Sequence, residues 1–152
     1  MNAIEGKFTL TVPSSTQNLA LIRDFIGTLI MQTGLDENEV LKLTLAVDEA
    51  CTNVIEHAYG KDNSKEVLVR TFLDNHEIRF EIEDTGLGFD PNAYQPDELE
   101  RLVAERKSGG LGLRLIQTIM DEVRYEFEPG RKNSLLLIKR LRKDENREVI
   151  KN

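Results

Sequence analysis

Asp84 closes an alternating stretch and is followed by Gly86 and Gly88. A carboxylate there can accept a hydrogen bond from an exocyclic amine such as that of adenine, and the glycines allow close backbone approach and a sharp bend. Further on, Ser108-Gly109-Gly110-Leu111-Gly112-Leu113 opens an apolar helical pattern. Free backbone N–H groups and the helix dipole at such an end favour phosphate. Upstream, Glu49, Asn53 and His57 recur at intervals of four in a stretch whose other positions are mostly apolar. On a helix they form one polar stripe along one face. Taken singly, each feature has a plainer reading: a strand ending in a tight turn, a hinge before a helix, a solvated helix face. Asp48 and Glu56 read as surface charges.

The elements that must position these residues follow from periodicity. Lys7 to Val12 alternates as a strand with Phe8, Leu10 and Val12 on one side. Pro13-Ser14-Ser15 ends it and can cap the helix that follows, Gln17 to Thr33, with Leu19, Ile22, Phe25, Ile26, Leu29 and Ile30 at helical spacing and Gly34 as its stop. Asp36 with Glu39 is a capping-box variant. The helix it starts is expected to run to about Tyr59, burying Val40, Leu43, Val47, Cys51, Val54 and Ala58. Val67 to Leu73 and Glu77 to Glu83 read as strands joined across Asp74-Asn75-His76, and Leu111 to Glu122 as a third main helix. Val123 to Glu128 and Ser134 to Leu141 read as a hairpin around Pro129 to Asn133. Pro96 to Glu105 fits a short helix inside the long polar connection from Thr85 to Ser108. The pattern implies an α+β fold: a two-layer α/β sandwich with helices over one face of a mixed, mostly antiparallel sheet.

At 152 residues the chain reads as a single domain, residues 1–152, with a core of about 7–141 and a charged tail at 142–152. The net charge of -7 argues against direct nucleic acid or anionic membrane as a partner. The single cysteine, Cys51, fits a reducing compartment. No apolar run approaches the ~20 residues of a membrane span. Met1 to Lys7 lacks the pattern of a signal peptide, so a cytoplasmic location is expected. There is no P-loop and no His-Arg-Asp or Asp-Phe-Gly set, and the scattered histidines and cysteine do not make a zinc site. Cys51 reads as a buried, inert thiol. Lys139-Arg140 with Arg142-Lys143 reads as a solvated strand end.

In this order, Asp48 to Gly60, Asp84 to Asp90 and Gly109 to Leu113 resemble the N, G1 and G2 boxes of the GHKL ATPase superfamily, a Bergerat-type histidine-kinase-like fold. Glu-Ala-Cys-Thr-Asn…His-Ala-Tyr and Gly-Gly-Leu-Gly-Leu look most like the anti-sigma-factor serine kinases. The resemblance covers about Phe8 to Leu141. It implies ATP and Mg2+ as cofactors, with Asn53 as the metal ligand and Glu49 as the general base. Asp84 would bind adenine, Gly86 and Gly88 shape the pocket floor, and Gly110, Leu111, Gly112 and Leu113 face the phosphates. His57 would line the pocket, Ser134 would stand where relatives often have an adenine-holding threonine, and residues 89–108 would form the lid. Arg114 departs from the apolar or aromatic residue common in relatives and reads as a surface residue.

The resemblance implies a serine-protein kinase and anti-sigma factor. It would phosphorylate a STAS-domain anti-anti-sigma partner, sequester a sigma factor and form a homodimer through the first strand and helix. The alternative is an ATP-gated binding switch without significant kinase activity. A histidine-kinase catalytic domain is a lesser reading, because only a strand and one helix precede the first box.

Overall fold

The computed structural model describes residues 5–55, 65–85, 111–128 and 131–141, the side chains at 111–113 and 127 excepted. Strand β1 (Gly6–Pro13) leads through a short 3-10 turn (Thr16–Asn18) into helix α1 (Leu19–Met31) and then α2 (Glu37–Asn53). Strands β2 (Glu66–Leu73) and β3 (Glu77–Asp84) follow, then helix α3 (Leu111–Ile119) and strands β4 (Glu122–Glu128) and β5 (Lys132–Arg140). The expected short helix at 96–105, the 89–108 segment and the 142–152 tail lie outside the described residues.

The helices form where the apolar stripe and the stop signals agree. On α1, Ile22, Ile26, Leu29 and Ile30 are buried. The helix ends in a turn in which Gly34 takes φ 82°, a conformation that glycine adopts without Cβ strain. No side-chain cap forms at Ser15 or Asn18. Instead Asn18 Nδ2 donates to the Pro13 carbonyl at 2.8 Å and ties the start of α1 to the end of β1. On α2 the Asp36 carboxylate accepts the Glu39 N–H at 2.9 Å, as the capping pattern predicts. Leu43, Ala46, Val47, Ala50 and Cys51 are buried on one face.

The five strands lie in the order β1-β2-β3-β5-β4, and every described pairing is antiparallel. The sheet is thus more regular than the mixed one expected, because β5 returns beside β3 through a tight hairpin with β4. Alternation sends Val67, Val69, Thr71 and Leu73 from β2, and Ile78, Phe80, Ile82 and Asp84 from β3, to the buried side. Fully burying one such Ile, Leu or Phe side chain stabilises the fold by about 1.5–3 kcal/mol. One polar side chain sits among them: the Thr71 hydroxyl is fully buried with no hydrogen-bond partner among the described residues.

The other side of the sheet carries charges in pairs. Arg70 bridges Glu81 at 3.1 Å and Glu83 at 3.0 Å, and Lys132 reaches Glu83 at 3.1 Å. Partial burial works against the Glu83 carboxylate, but hydrogen bonds from Arg70 and Lys132 outweigh it and hold its pKa below the ordinary 4.5. In the β2–β3 turn, Asp74 accepts the N–H groups of Glu77 and His76, and these bonds lower its pKa.

Two outcomes are expected. Thr71→Val removes an unsatisfied buried hydroxyl and raises stability by about 1 kcal/mol, read as a higher urea midpoint at unchanged slope; a lower midpoint would show that the hydroxyl is bonded in solution. Because Glu83 has a depressed folded-state pKa, its contribution is complete above pH 4.5 and is lost as pH falls through the folded value. Glu83→Gln is therefore less stable than the parent by about 1 kcal/mol at pH 7, and the gap closes on acidification to pH 3. A gap of equal size at both pH values would contradict the linkage.

Candidate functional site

Helix α2 packs between α1 and α3 and lies over β3, the central strand of the sheet. Its apolar face is committed to the core, so Glu49 and Asn53 emerge half-buried, one turn apart on the same side. Asp48, expected to be a surface charge, instead closes the α1–α2 seam: its Oδ1 lies 3.0 Å from Arg23 Nη1, and its side chain is only 16% exposed. Glu49 is thus the carboxylate of this pair that is not spent on the α1–α2 contact. Directly after Asn53 the helix widens into a π-type turn at Val54 and Ile55, both buried. Such turns are rare within helices and concentrate at functional sites. His57 and the expected continuation to Tyr59 lie outside the described residues.

Cys51 is fully buried beside these groups. Burial, with the Asp48 charge adding to it, pushes the thiol far up, so it stays protonated. This agrees with its reading as inert.

Asp84 ends β3 on the buried side of the sheet, 4% exposed. The β3–β5 register sets Asn133 directly opposite Asp84 and Ser134 opposite Glu83. Side chains opposite each other share a face, and neighbours in sequence take opposite faces. Ser134 therefore lies on the charged outer side with Glu83, away from the face that carries Asp84. Asn133 occupies the place beside Asp84 and donates from Nδ2 to Oδ1 at 2.9 Å, both residues being buried. The sequence reading put Asn133 in a turn because Pro129 to Asn133 looks like one loop. In the structure Arg131 N–H already closes the turn on the Glu128 carbonyl at 2.9 Å, and β5 begins at Lys132. Counting the shorter hairpin and continuing the alternation from Leu135 and Leu137 gives the signal that was missed.

Leu111, Gly112 and Leu113 form the first turn of α3, whose N–H groups have no partner within the helix. Ile116 and Met120 are buried, which seats α3 against α2, and Arg114 is exposed as expected. Gly86, Gly88 and Gly110 lie outside the described residues. The described residues contain no group of three or more His, Cys, Asp or Glu able to hold a metal. The Asn53 carboxamide oxygen is a hard donor of the kind Mg2+ accepts singly, with phosphate oxygens and water completing its shell.

The histidine kinase-like ATPase domain family matches residues 12–139. The chain is similar to the serine-protein kinase RsbW of Bacillus licheniformis, 34% identical over 78% of this chain and 76% of the relative. It is 33% identical to the same-named protein of Bacillus subtilis strain 168, over 80% and 78%. It is 31% identical to that of Halalkalibacterium halodurans, over 90% and 84%. Among solved structures, the RsbU and RsbW domains of Rv1364c from Mycobacterium tuberculosis superpose with a TM-score of 0.64 at 18% identity. That match covers 90% of this chain and 32% of the other. A chain of the SiaB-SiaC complex from Pseudomonas aeruginosa gives 0.64 at 12% identity, covering 86% and 88%. These two establish the shared α+β fold. The chain belongs to the histidine kinase-like ATPase domain family and, within it, with the serine-protein kinases named RsbW.

Proposed function

We propose that this chain uses Mg-ATP to phosphorylate a serine of a STAS-type anti-anti-sigma protein and that it holds a sigma factor inactive. The observation that carries the kinase reading is Glu49, a half-buried carboxylate one helical turn from Asn53 on the helix at the centre of the fold. In this reading the adenine end of the nucleotide meets Asp84 at the end of β3. The phosphates meet the first turn of α3, Leu111, Gly112 and Leu113, with Gly110 before it. Gly86 and Gly88 shape the floor, and His57 lines the pocket. Ser134 is left a supporting place on the outer face. Asn53 holds Mg2+, which when bound neutralises charge on the phosphates.

Glu49 accepts the proton of the acceptor serine hydroxyl as the serine oxygen bonds to the γ-phosphorus and the bond to the β–γ bridging oxygen breaks, releasing ADP. Asp84 fixes the base and so the line of attack. Burial on α2 keeps the Glu49 side chain in one orientation toward the acceptor. Phosphorylating the antagonist leaves the kinase free to retain the sigma factor. A cytoplasmic homodimer completes the reading. Among the described pairings β1 is an edge strand, and α1 exposes 51% of Leu21, so the first strand and helix offer backbone and apolar surface to a second copy.

Transfer of γ-labelled phosphate from Mg-ATP into a small STAS-type protein tests this. Glu49→Ala is expected to slow transfer by about 10²–10⁴-fold while ATP binding persists. Equal rates in parent and variant would remove Glu49 as the base. No transfer by the parent, with ATP binding intact, would favour an ATP-gated binding switch.

A further inference from the structure

The buried contact between Asn133 and Asp84 is not explained by the fold alone. A strand pair needs no side-chain bond across its ends, and an apolar residue at 133 would continue the row formed by Leu135 and Leu137. Instead a carboxamide 3% exposed faces a carboxylate 4% exposed, with Nδ2 donating to Oδ1 at 2.9 Å. Burying both groups is costly unless each is satisfied, so the pair is held in one geometry.

We infer that Asn133 is a positioning residue that sets the nucleobase specificity of the site by fixing the orientation of the Asp84 carboxylate. This rests on Asp84 reading adenine, as proposed above. A carboxylate is an acceptor and can discriminate bases only by what it faces. The exocyclic amine of adenine offers it a donor, whereas the carbonyl oxygen at the same position of guanine or hypoxanthine meets it with a second acceptor. That discrimination needs the carboxylate plane held firmly, since a rotating carboxylate can turn away from the mismatched base. Asn133 occupies one oxygen from the neighbouring strand, at a register position fixed by the ladder on both sides. Charge pairs on the opposite face, Lys132 and Arg70 with Glu83, hold the same strand ends together.

The test measures binding of ATP, GTP and ITP to the full chain by calorimetry, for the parent, Asn133→Ala, Asn133→Asp, Asp84→Asn and the Asp84→Asn/Asn133→Ala double variant. In Asn133→Ala, ATP affinity is expected to fall about tenfold with GTP and ITP little changed, so the preference for adenine shrinks. In the Asp84→Asn background the Asn133→Ala change has no further effect on the preference, as coupling through one partner requires. Asn133→Asp places two carboxyl groups in contact, which share a proton only at low pH. Its preference for ATP therefore recovers as pH falls, while that of the parent stays level. Equal losses for all three nucleotides in Asn133→Ala, with no pH dependence in Asn133→Asp, would reduce Asn133 to a structural role and overturn the inference. Unchanged ATP binding in Asp84→Asn would overturn the adenine assignment and the inference with it. Melting curves of each variant confirm that losses are read on folded protein.

Discussion

The pairing of β3 with β5 is the constraint on which the rest of the structure depends. It makes β3 the central strand, and it brings together two segments about fifty residues apart in the chain. Its register decides which side chains meet at the end of the sheet. A slip by one residue would exchange faces along the whole strand, sending Leu137 to the charged side and bringing Ser134 toward the core side. Burial of Leu137 against Phe80 and Ile82 makes that slip costly, so the position of Asn133 beside Asp84 follows from the apolar pattern several residues away.

Helix α2 solves a second constraint. It must bury one face on the sheet and lie between two other helices, yet leave polar groups where a ligand can meet them. Small residues, Ala46, Ala50 and Cys51, let it sit close, and Arg23 draws Asp48 into the seam with α1. What remains outside the core is the Glu49–Asn53 stripe. Apolar packing and the polar stripe are therefore two sides of one helical periodicity, and the widened turn after Asn53 marks the point where that periodicity is interrupted.

Most of this was legible in the sequence. The strands Val67 to Leu73 and Glu77 to Glu83 announced themselves by alternation, and α2 by its stripe and by Asp36 as its cap. Family membership was legible from three short segments because their order, not any one of them, is improbable by chance. Less legible were features that depend on long-range partners. Nothing local says that Asp48 is drawn to Arg23, twenty-five residues away. Nothing local distinguishes a turn from a strand start at Lys132 and Asn133 until β3 lies alongside. Local composition favoured a loop there, and tertiary pairing overrode it.

The central claim is that α2 and β3 divide one nucleotide between them, phosphates and metal on the helix and base on the strand. Calorimetric titration of ATP with and without Mg2+ tests this directly, on the parent, Asn53→Ala and Asp84→Asn. If the division holds, Asp84→Asn weakens binding under both conditions. Asn53→Ala binds metal-free ATP as the parent does and loses only the gain that Mg2+ brings. Parent-like binding by Asp84→Asn, or an unchanged Mg2+ effect in Asn53→Ala, would contradict it.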